Sequence, residues 1–257
     1  MRRRNGLILL EAPMGNGKTT TIYSILNRLN DGSRTIATME NPIEIPTEGI
    51  VQIPIDGEHI TFDKVTRGMM RQDVDVCLIG EIRDPETLAN AIKMGESGML
   101  VFSTMHTRDV FGTFARVKTF NGNLLEFVSV FEGAISQRLV RRLCKECRQE
   151  YKLSELSDIE RRYLEKHQYV GKIYKPRQGG CPACGGEGYK GRMVVSEILT
   201  RTDEVVDIIY RYADSILDIE QKLRQSKSVT KIAEDALGKM NKGETSLDEL
   251  MRLDLLS

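Results

Sequence analysis

Residues 6–21 read GLILLEAPMGNGKTTT, which joins an apolar run to a glycine-bearing loop and the start of a helical pattern. The unbroken apolar run at residues 7–10 is typical of a buried parallel strand. Apolar residues then recur at helical spacing as far as Leu29. This order favours a phosphate-binding loop, because backbone N–H groups and the positive end of a helix dipole can surround an anion there.

The loop matches the consensus G-x-x-x-x-G-K-[ST] at every fixed position except the first, where Ala12 replaces glycine. The predicted nucleotide-binding residues are Gly15, Asn16, Gly17, Lys18, Thr19 and Thr20. Of these, Lys18 is expected to reach the outer phosphates, and the Thr19 hydroxyl is expected to bind Mg²⁺. The alternative interpretation is a chance glycine-rich turn before a helix.

The composition places the chain among globular proteins. It has 257 residues, of which 40% are hydrophobic, 29% charged and 6% aromatic, which fits one main core with one or two small appended units. Basic and acidic residues number 37 each, so the net charge gives no argument for a nucleic-acid partner. No apolar stretch approaches the roughly 18 residues that a membrane span needs. Because only residues 1–5 precede the first strand, we expect a fragment or a short member of a larger type.

Strand and helix patterns alternate after the first helix. The sequence predicts strands at residues 35–39, 50–55, 76–79 and 98–107, with helices at 61–71 and 84–95. This succession places about the first 130 residues in the doubly wound α/β class.

Polar residues follow several of these strands. Glu40 and Glu44 follow the second strand, Glu81 follows the apolar run at 76–79, and His106 ends a later strand. Ligand chemistry collects at the carboxyl ends of strands in an open parallel sheet, so these residues are expected near the phosphate loop. A carboxylate there can activate water or approach Mg²⁺. For Glu40 and Glu44, the local sequence alone favours solvated loop acids, and an isolated histidine is usually a satisfied polar residue.

Four ordered motifs resemble those of the ATPases that drive type II secretion and type IV pilus assembly. They are a Walker A loop at residues 15–21, an acidic box at 38–44, a Walker B segment at 71–84 and a histidine box at 97–107. Asn41 stands where the family usually has aspartate, and Val74 stands in place of a proline. The resemblance continues to the tail and covers nearly the whole chain.

The resemblance implies an α/β fold with a RecA-like P-loop NTPase core, a small zinc-binding insertion and a helical carboxyl-terminal subdomain. The expected bounds are 1–140 for the ATPase core, 141–192 for the four-cysteine module with a helical insert, and 193–257 for the helical subdomain.

The resemblance also implies the roles of the site residues. Lys18 and Thr19 would bind phosphate and Mg²⁺, Glu81 would serve the metal and water, and Glu40 would position or activate the attacking water. The remaining candidates are His106 as a sensor of the γ-phosphate, with Arg67 and Arg83 neutralising transferred charge within one subunit or across an interface.

By the same resemblance we expect a homo-hexameric motor that hydrolyses ATP with Mg²⁺. It would work with the inner-membrane platform and anchoring proteins of a secretion or pilus system, as a cytoplasmic protein peripheral to the inner membrane. The family's separate amino-terminal domain, which closes over the nucleotide, is expected to be missing here. Alternatives are a conjugation or DNA-uptake motor of the same family, a hydrolysis-poor regulatory subunit, and a ring translocase on nucleic acid, which the zero net charge disfavours.

Four of the five cysteines form two C-x-x-C pairs, Cys144 with Cys147 and Cys181 with Cys184. Four thiolates suit a tetrahedral zinc ion, and an inserted helix at residues 153–167 would account for the long spacing between the pairs. Reduced structural thiols and a redox pair are the alternatives. By resemblance, the pairs favour the assembly and export motors over the retraction motors. Cys77 is predicted to be a buried apolar residue.

The tail reads as short amphipathic helices. The sequence predicts helices at residues 204–212, 216–223 and 229–240, and then a last helix that Ser246 and Glu249 would start with a capping box.

Overall fold

The computed structural model describes residues 5–255 of the chain. The ends of the first and third predicted domains, residues 1–4 and 256–257, lie outside the described residues. Among these described residues, no helix is both long enough and apolar enough to cross a membrane.

In the part of the chain that the structure describes, ten strands form two sheets. The strands are β1 Gly6–Glu11, β2 Ile36–Glu40, β3 Val51–Pro54, β4 Val76–Ile79, β5 Leu100–Met105, β6 Phe131–Leu143, β7 Gln149–Tyr151, β8 Ile173–Lys175, β9 Tyr189–Thr200 and β10 Val229–Thr230. The large sheet has the order β10-β9-β6-β1-β5-β4-β2-β3, and β7 pairs with β8 in an antiparallel ribbon. Strand β1 is parallel to both β5 and β6, and the pairs β4–β5, β2–β4 and β2–β3 are parallel as well.

The described residues form ten α-helices, of which eight lie between strands and two follow the last strand. They are α1 Lys18–Leu29, α2 Phe62–Met69, α3 Pro85–Glu96, α4 Gly112–Thr119, α5 Leu124–Val130, α6 Asp158–Lys166, α7 Asp203–Arg211, α8 Ile216–Gln225, α9 Ile232–Asn241 and α10 Leu247–Arg252. Thr61 caps α2 by accepting the backbone N–H of Lys64, and Asp84 caps α3 ahead of Pro85.

The inner parallel strands β1, β2, β4 and β5 bury side chains on both faces, which explains their continuous apolar runs. Successive residues of β4 alternate between two hydrophobic clusters: Cys77 and Ile79 join one, while Val76 and Leu78 join the cluster that packs with α1. The predicted α/β class is therefore confirmed. The predicted burial of Cys77 is confirmed too, and burial raises the pKa of its thiol far above the usual range.

The described chain separates into two compact units. Within the described residues, the first comprises 5–136 and 198–229, and the second comprises 137–197 and 230–255. The second unit has its own hydrophobic cluster, which includes Val140, Leu164 and Met240. The three-part division at residues 140 and 192 stays a prediction.

Two predicted helices differ from the observed elements. The predicted helix at 153–167 is a 3-10 turn, Leu153–Glu155, followed by α6, whose capping box of Ser157 and Glu160 sets its start. The predicted helix at 229–240 begins too early, because Val229 and Thr230 belong to strand β10.

Candidate functional site

The loop between β1 and α1 has the geometry of an anion site. Gly15 and Gly17 adopt φ angles of 75° and 78°, in the left-handed region that glycine tolerates. Within the described chain, no side chain caps the start of α1 and its first turn holds no acid. The first backbone N–H groups and the positive end of the helix dipole therefore remain available to a phosphate.

Two buried residues precede this loop. Ala12, the departure from the consensus, is fully buried, and so is Glu11 at the end of β1. Thr113 Oγ1 on α4 donates a hydrogen bond to Glu11 Oε1. Sequence reasoning missed Glu11 as a candidate, although an acid that ends an apolar strand directly before a phosphate loop is a usable signal.

Lys18, His106, Glu81 and Arg83 form one continuous chain of contacts. Lys18 Nζ lies 3.1 Å from His106 Nδ1, and His106 Nε2 lies 3.1 Å from Glu81 Oε1. Arg83 Nε donates to Glu81 Oε2 at 2.6 Å. These residues come from the start of α1 and from the loops after β4 and β5, so the structure brings together four of the predicted site residues.

Charges around Lys18 oppose one another. Burial lowers the pKa of the Lys18 ammonium, and the positive charge of Arg83 lowers it further, whereas the carboxylates of Glu81 and Glu11 act to raise it. The lysine is thus a partly desolvated cation among carboxylates, an environment in which an added phosphate would favour the charged form.

Glu40 ends strand β2 and is only 5% exposed, so its description as a solvated loop acid is wrong, whereas Glu44 is exposed. Tyr23 Oη and Thr38 Oγ1 donate to Glu40 Oε1 at 2.6 and 2.7 Å. A Cβ atom at Gly80 would lie 3.3 Å from the Met39 carbonyl oxygen and 3.5 Å from the Glu40 Cα. The missing side chain at Gly80 therefore lets the end of β4, which leads into Glu81, pack closely against Glu40.

Other predicted site residues lie apart from these contacts. Arg67 on α2 is 71% exposed, and it pairs with Asp63 one turn earlier in the same helix. Thr19 and Thr20 lie in the first turn of α1, and among residues 5–255 no hydrogen bond involves either hydroxyl. The Asn16 side chain bonds to the carbonyls of Pro13 and Met14 within the loop.

The four paired cysteines converge in the second unit. Their sulfur atoms all lie within 4.8 Å of one another. The separations are 3.8 Å for Cys144–Cys181, 3.9 Å for Cys147–Cys184 and 3.8 Å for Cys181–Cys184. A tetrahedral zinc ion with Zn–S bonds of about 2.3 Å requires sulfur separations of about 3.8 Å, so this cluster fits a Cys₄ zinc site.

Backbone N–H groups form hydrogen bonds with a sulfur atom of this cluster. The backbone N–H groups of Cys181 and Gly188 both lie 3.2 Å from Cys184 Sγ, and these bonds lower the pKa of the Cys184 thiol to about 6. Burial instead raises the pKa of Cys147 to about 12. Glycine is required at Gly180, where φ is 55° and a Cβ atom would lie 2.4 Å from the Gly186 carbonyl carbon.

The sequence model of the type II/IV secretion system protein family matches residues 1–252. The chain belongs to this family. It is 36% identical over 256 residues to the type II secretion system ATPase E of Vibrio cholerae. That alignment covers 98% of this chain and 49% of the Vibrio protein. It is 34% identical to the type IV pilus assembly ATPase PilB of Thermus thermophilus, over 96% of this chain and 27% of that protein.

Solved structures share the fold of this family member. The ATPase DotB of Legionella pneumophila matches 98% of this chain and 61% of its own, with a TM-score of 0.69 and 21% identity. The pilus retraction motor PilT with bound ADP matches 97% and 61%, with a TM-score of 0.65 and 23% identity. The chain spans about half the length of the type II secretion relatives that it matches.

Proposed function

We propose that this chain is the ATP-hydrolysing part of a motor that drives assembly of a type II secretion pseudopilus or a type IV pilus. The observation that carries the proposal is the contact chain from Lys18 through His106 to Glu81 at the start of α1. This contact chain joins a lysine, a histidine and a glutamate beside the carboxyl ends of neighbouring parallel strands, and it supports the proposed roles of a phosphate-binding cation, a polar sensor and a metal-binding acid. The relatives named above are secretion and pilus-assembly ATPases.

In the proposed reaction, a water oxygen attacks the γ-phosphorus in line with the departing β–γ bridging oxygen, and ADP leaves. The loop amides and Lys18 hold the phosphates, while Glu40 orients the water and receives its proton. Glu81, together with the Thr19 hydroxyl, would hold Mg²⁺, which supplies charge neutralisation when bound. Arg83 beside Glu81 would offset charge on the transferred group, and Arg67 would act from a neighbouring subunit.

The proposal extends to the assembly. We infer a homo-hexamer on the cytoplasmic face of the inner membrane that contacts platform and anchoring proteins, as the family relationship suggests. The cysteine cluster would hold a structural Zn²⁺ ion through Cys144, Cys147, Cys181 and Cys184, since its sulfur spacing fits that ion.

The test is ATP turnover per subunit across a protein-concentration series, beside Lys18→Ala and Glu81→Gln. The exposed acid Glu96, at the far end of α3, provides a matched control as Glu96→Gln. Turnover that rises with concentration, survives Glu96→Gln and falls by roughly 10² or more in the other two variants is expected. Tight nucleotide binding without turnover at any concentration would instead identify a hydrolysis-poor regulatory subunit.

A further inference from the structure

A buried hydrogen-bond network joins Glu40 to helix α1 and to the edge strand β3. Tyr23 and Thr38, which are 2% and 0% exposed, both donate to Glu40 Oε1. Gln52 Nε2 on β3 lies 2.8 Å from the Tyr23 oxygen and 3.4 Å from Glu40 Oε1. Glu40 is therefore held from three different elements, which are α1, β2 and β3.

The network has a defined direction. The backbone N–H of Thr47 lies 2.7 Å from Gln52 Oε1 and can only donate, so the amide oxygen must face Thr47 and the amide nitrogen must face Tyr23. That nitrogen also donates to the Ile45 carbonyl at 3.0 Å. Because the Tyr23 oxygen accepts a hydrogen bond from Gln52, its single proton points to Glu40.

The consequence is that the two oxygen atoms of Glu40 are not equivalent. Oε1 accepts two hydroxyl protons, whereas no recorded hydrogen bond within residues 5–255 uses Oε2. Burial and the bond to Glu40 raise the pKa of the Tyr23 phenol well above its usual value, so the donor keeps its proton. An acid fixed through one oxygen presents the other in a constant orientation.

We propose that Tyr23 and Gln52 are positioning residues for ATP hydrolysis, which fix Glu40 through Oε1 and leave Oε2 for the attacking water. This inference rests on the proposed function, specifically on the role of Glu40. Gln52 has a second role in this proposal, because its amide also forms hydrogen bonds with the backbone of Ile45 and Thr47 in the loop after Glu40.

The test separates kcat from KM in two variants. Tyr23→Phe keeps the buried ring and removes the proton, while Gln52→Glu supplies a carboxylate that draws the Tyr23 proton away from Glu40. Each variant is expected to lower kcat roughly 10- to 100-fold, since small misplacements of a reacting group have effects of that size. The KM for ATP and the affinity for ADP should stay within about twofold, because neither residue belongs to the phosphate loop.

Matched substitutions at exposed positions, Tyr210→Phe and Gln221→Glu, should leave kcat unchanged. The double variant of Tyr23 and Gln52 should be no slower than the slower single variant, because both break the same connection. Additive losses, or a loss of ADP affinity, would indicate general damage and overturn the inference. Thermal unfolding checks each variant, and Gln52→Glu, at a partly exposed position, carries the test if Tyr23→Phe does not fold.

Glu40→Gln, measured in parallel, distinguishes failure of the inference from failure of the proposed function. If Glu40→Gln abolishes turnover while Tyr23→Phe and Gln52→Glu keep full kcat, the inference is wrong and the role of Glu40 stands. If Glu40→Gln keeps full turnover, the proposed role of Glu40 is wrong and the inference is wrong with it.

Discussion

At the scale of single residues, the positions of the site residues could be predicted from the sequence, but the hydrogen-bond partners of Glu40 and Glu11 could not. Lys18, Glu81 and His106 could be predicted as one site, because each follows a strand or a glycine loop and parallel strands end at a common edge. The hydroxyl partners of the two buried acids could not be predicted. Thr113 lies 102 positions after Glu11, and only the packing of α4 brings the two side chains together.

The Thr113 hydroxyl is expected to contribute to stability through Glu11. Thr113→Val keeps the volume and removes a donor to a fully buried carboxylate, so the free energy of unfolding should fall by about 1–3 kcal/mol. Urea denaturation measures this change. Thr119→Val, on an exposed position of the same helix, should change stability by less than about 0.5 kcal/mol. Equal stabilities for Thr113→Val and the unmodified chain would show that the Glu11 contact is not stabilising.

At the scale of elements, helix α10 departs from its sequence signature. Ser246 accepts the backbone N–H of Glu249 at 3.2 Å, as the predicted capping box requires. The Glu249 carboxylate, however, accepts the backbone N–H of Arg141 at 2.9 Å and the guanidinium groups of Arg141 and Arg252. The Glu249 carboxylate thus binds Arg141 on strand β6, while the backbone N–H of Glu249 completes the local cap of α10. The local spacing of Ser246 and Glu249 in the sequence does not predict the contact with Arg141.

This contact should make stability depend on pH. Burial alone would raise the pKa of Glu249, but the bonds from Arg252 and Arg141 outweigh it and lower the pKa from 4.5 to about 2. A depressed carboxyl pKa gives stabilisation that is complete above the unfolded value near 4.5 and is lost as the pH falls towards 2. At pH 7 the free energy of unfolding of Glu249→Gln should therefore be about 3 kcal/mol lower than that of the unmodified chain. This difference should shrink as the pH falls from 4.5 to about 2.

Urea denaturation of both proteins across that pH range measures the difference. Asp248→Asn, at the exposed neighbouring position, serves as the control and should follow the unmodified chain. A constant difference between Glu249→Gln and the unmodified chain at every pH would show that the carboxylate charge is not the source of the stabilisation.

At the scale of the whole molecule, the parallel core could be predicted, whereas the two compact units depend on contacts between distant segments that local sequence does not show. Strands such as β4 are covered on both faces, so their apolar runs are continuous and easy to identify. The long strands β6 and β9 alternate buried positions with arginines and other polar residues, and their local sequence gives no such signal. The segment Ile198–Val229 belongs to the first unit although the second unit interrupts the chain before it.

The two units should respond independently to loss of their ligands. The cysteine cluster lies in the second unit and the phosphate loop in the first, and each unit has hydrophobic clusters of its own. Cys184→Ser should therefore prevent binding of the proposed Zn²⁺ ion and make Gln137–Glu197 more sensitive to protease, while the affinity for ADP stays within about twofold. Lys18→Ala should have the opposite effect, with weakened ADP binding and a full metal content.

Elemental analysis, limited proteolysis and titration with a fluorescent ADP measure the three responses. Cys77→Ala, in the core of the first unit, is the control for loss of a thiol outside the cluster. A large fall in ADP affinity in Cys184→Ser would show that the two units are energetically coupled.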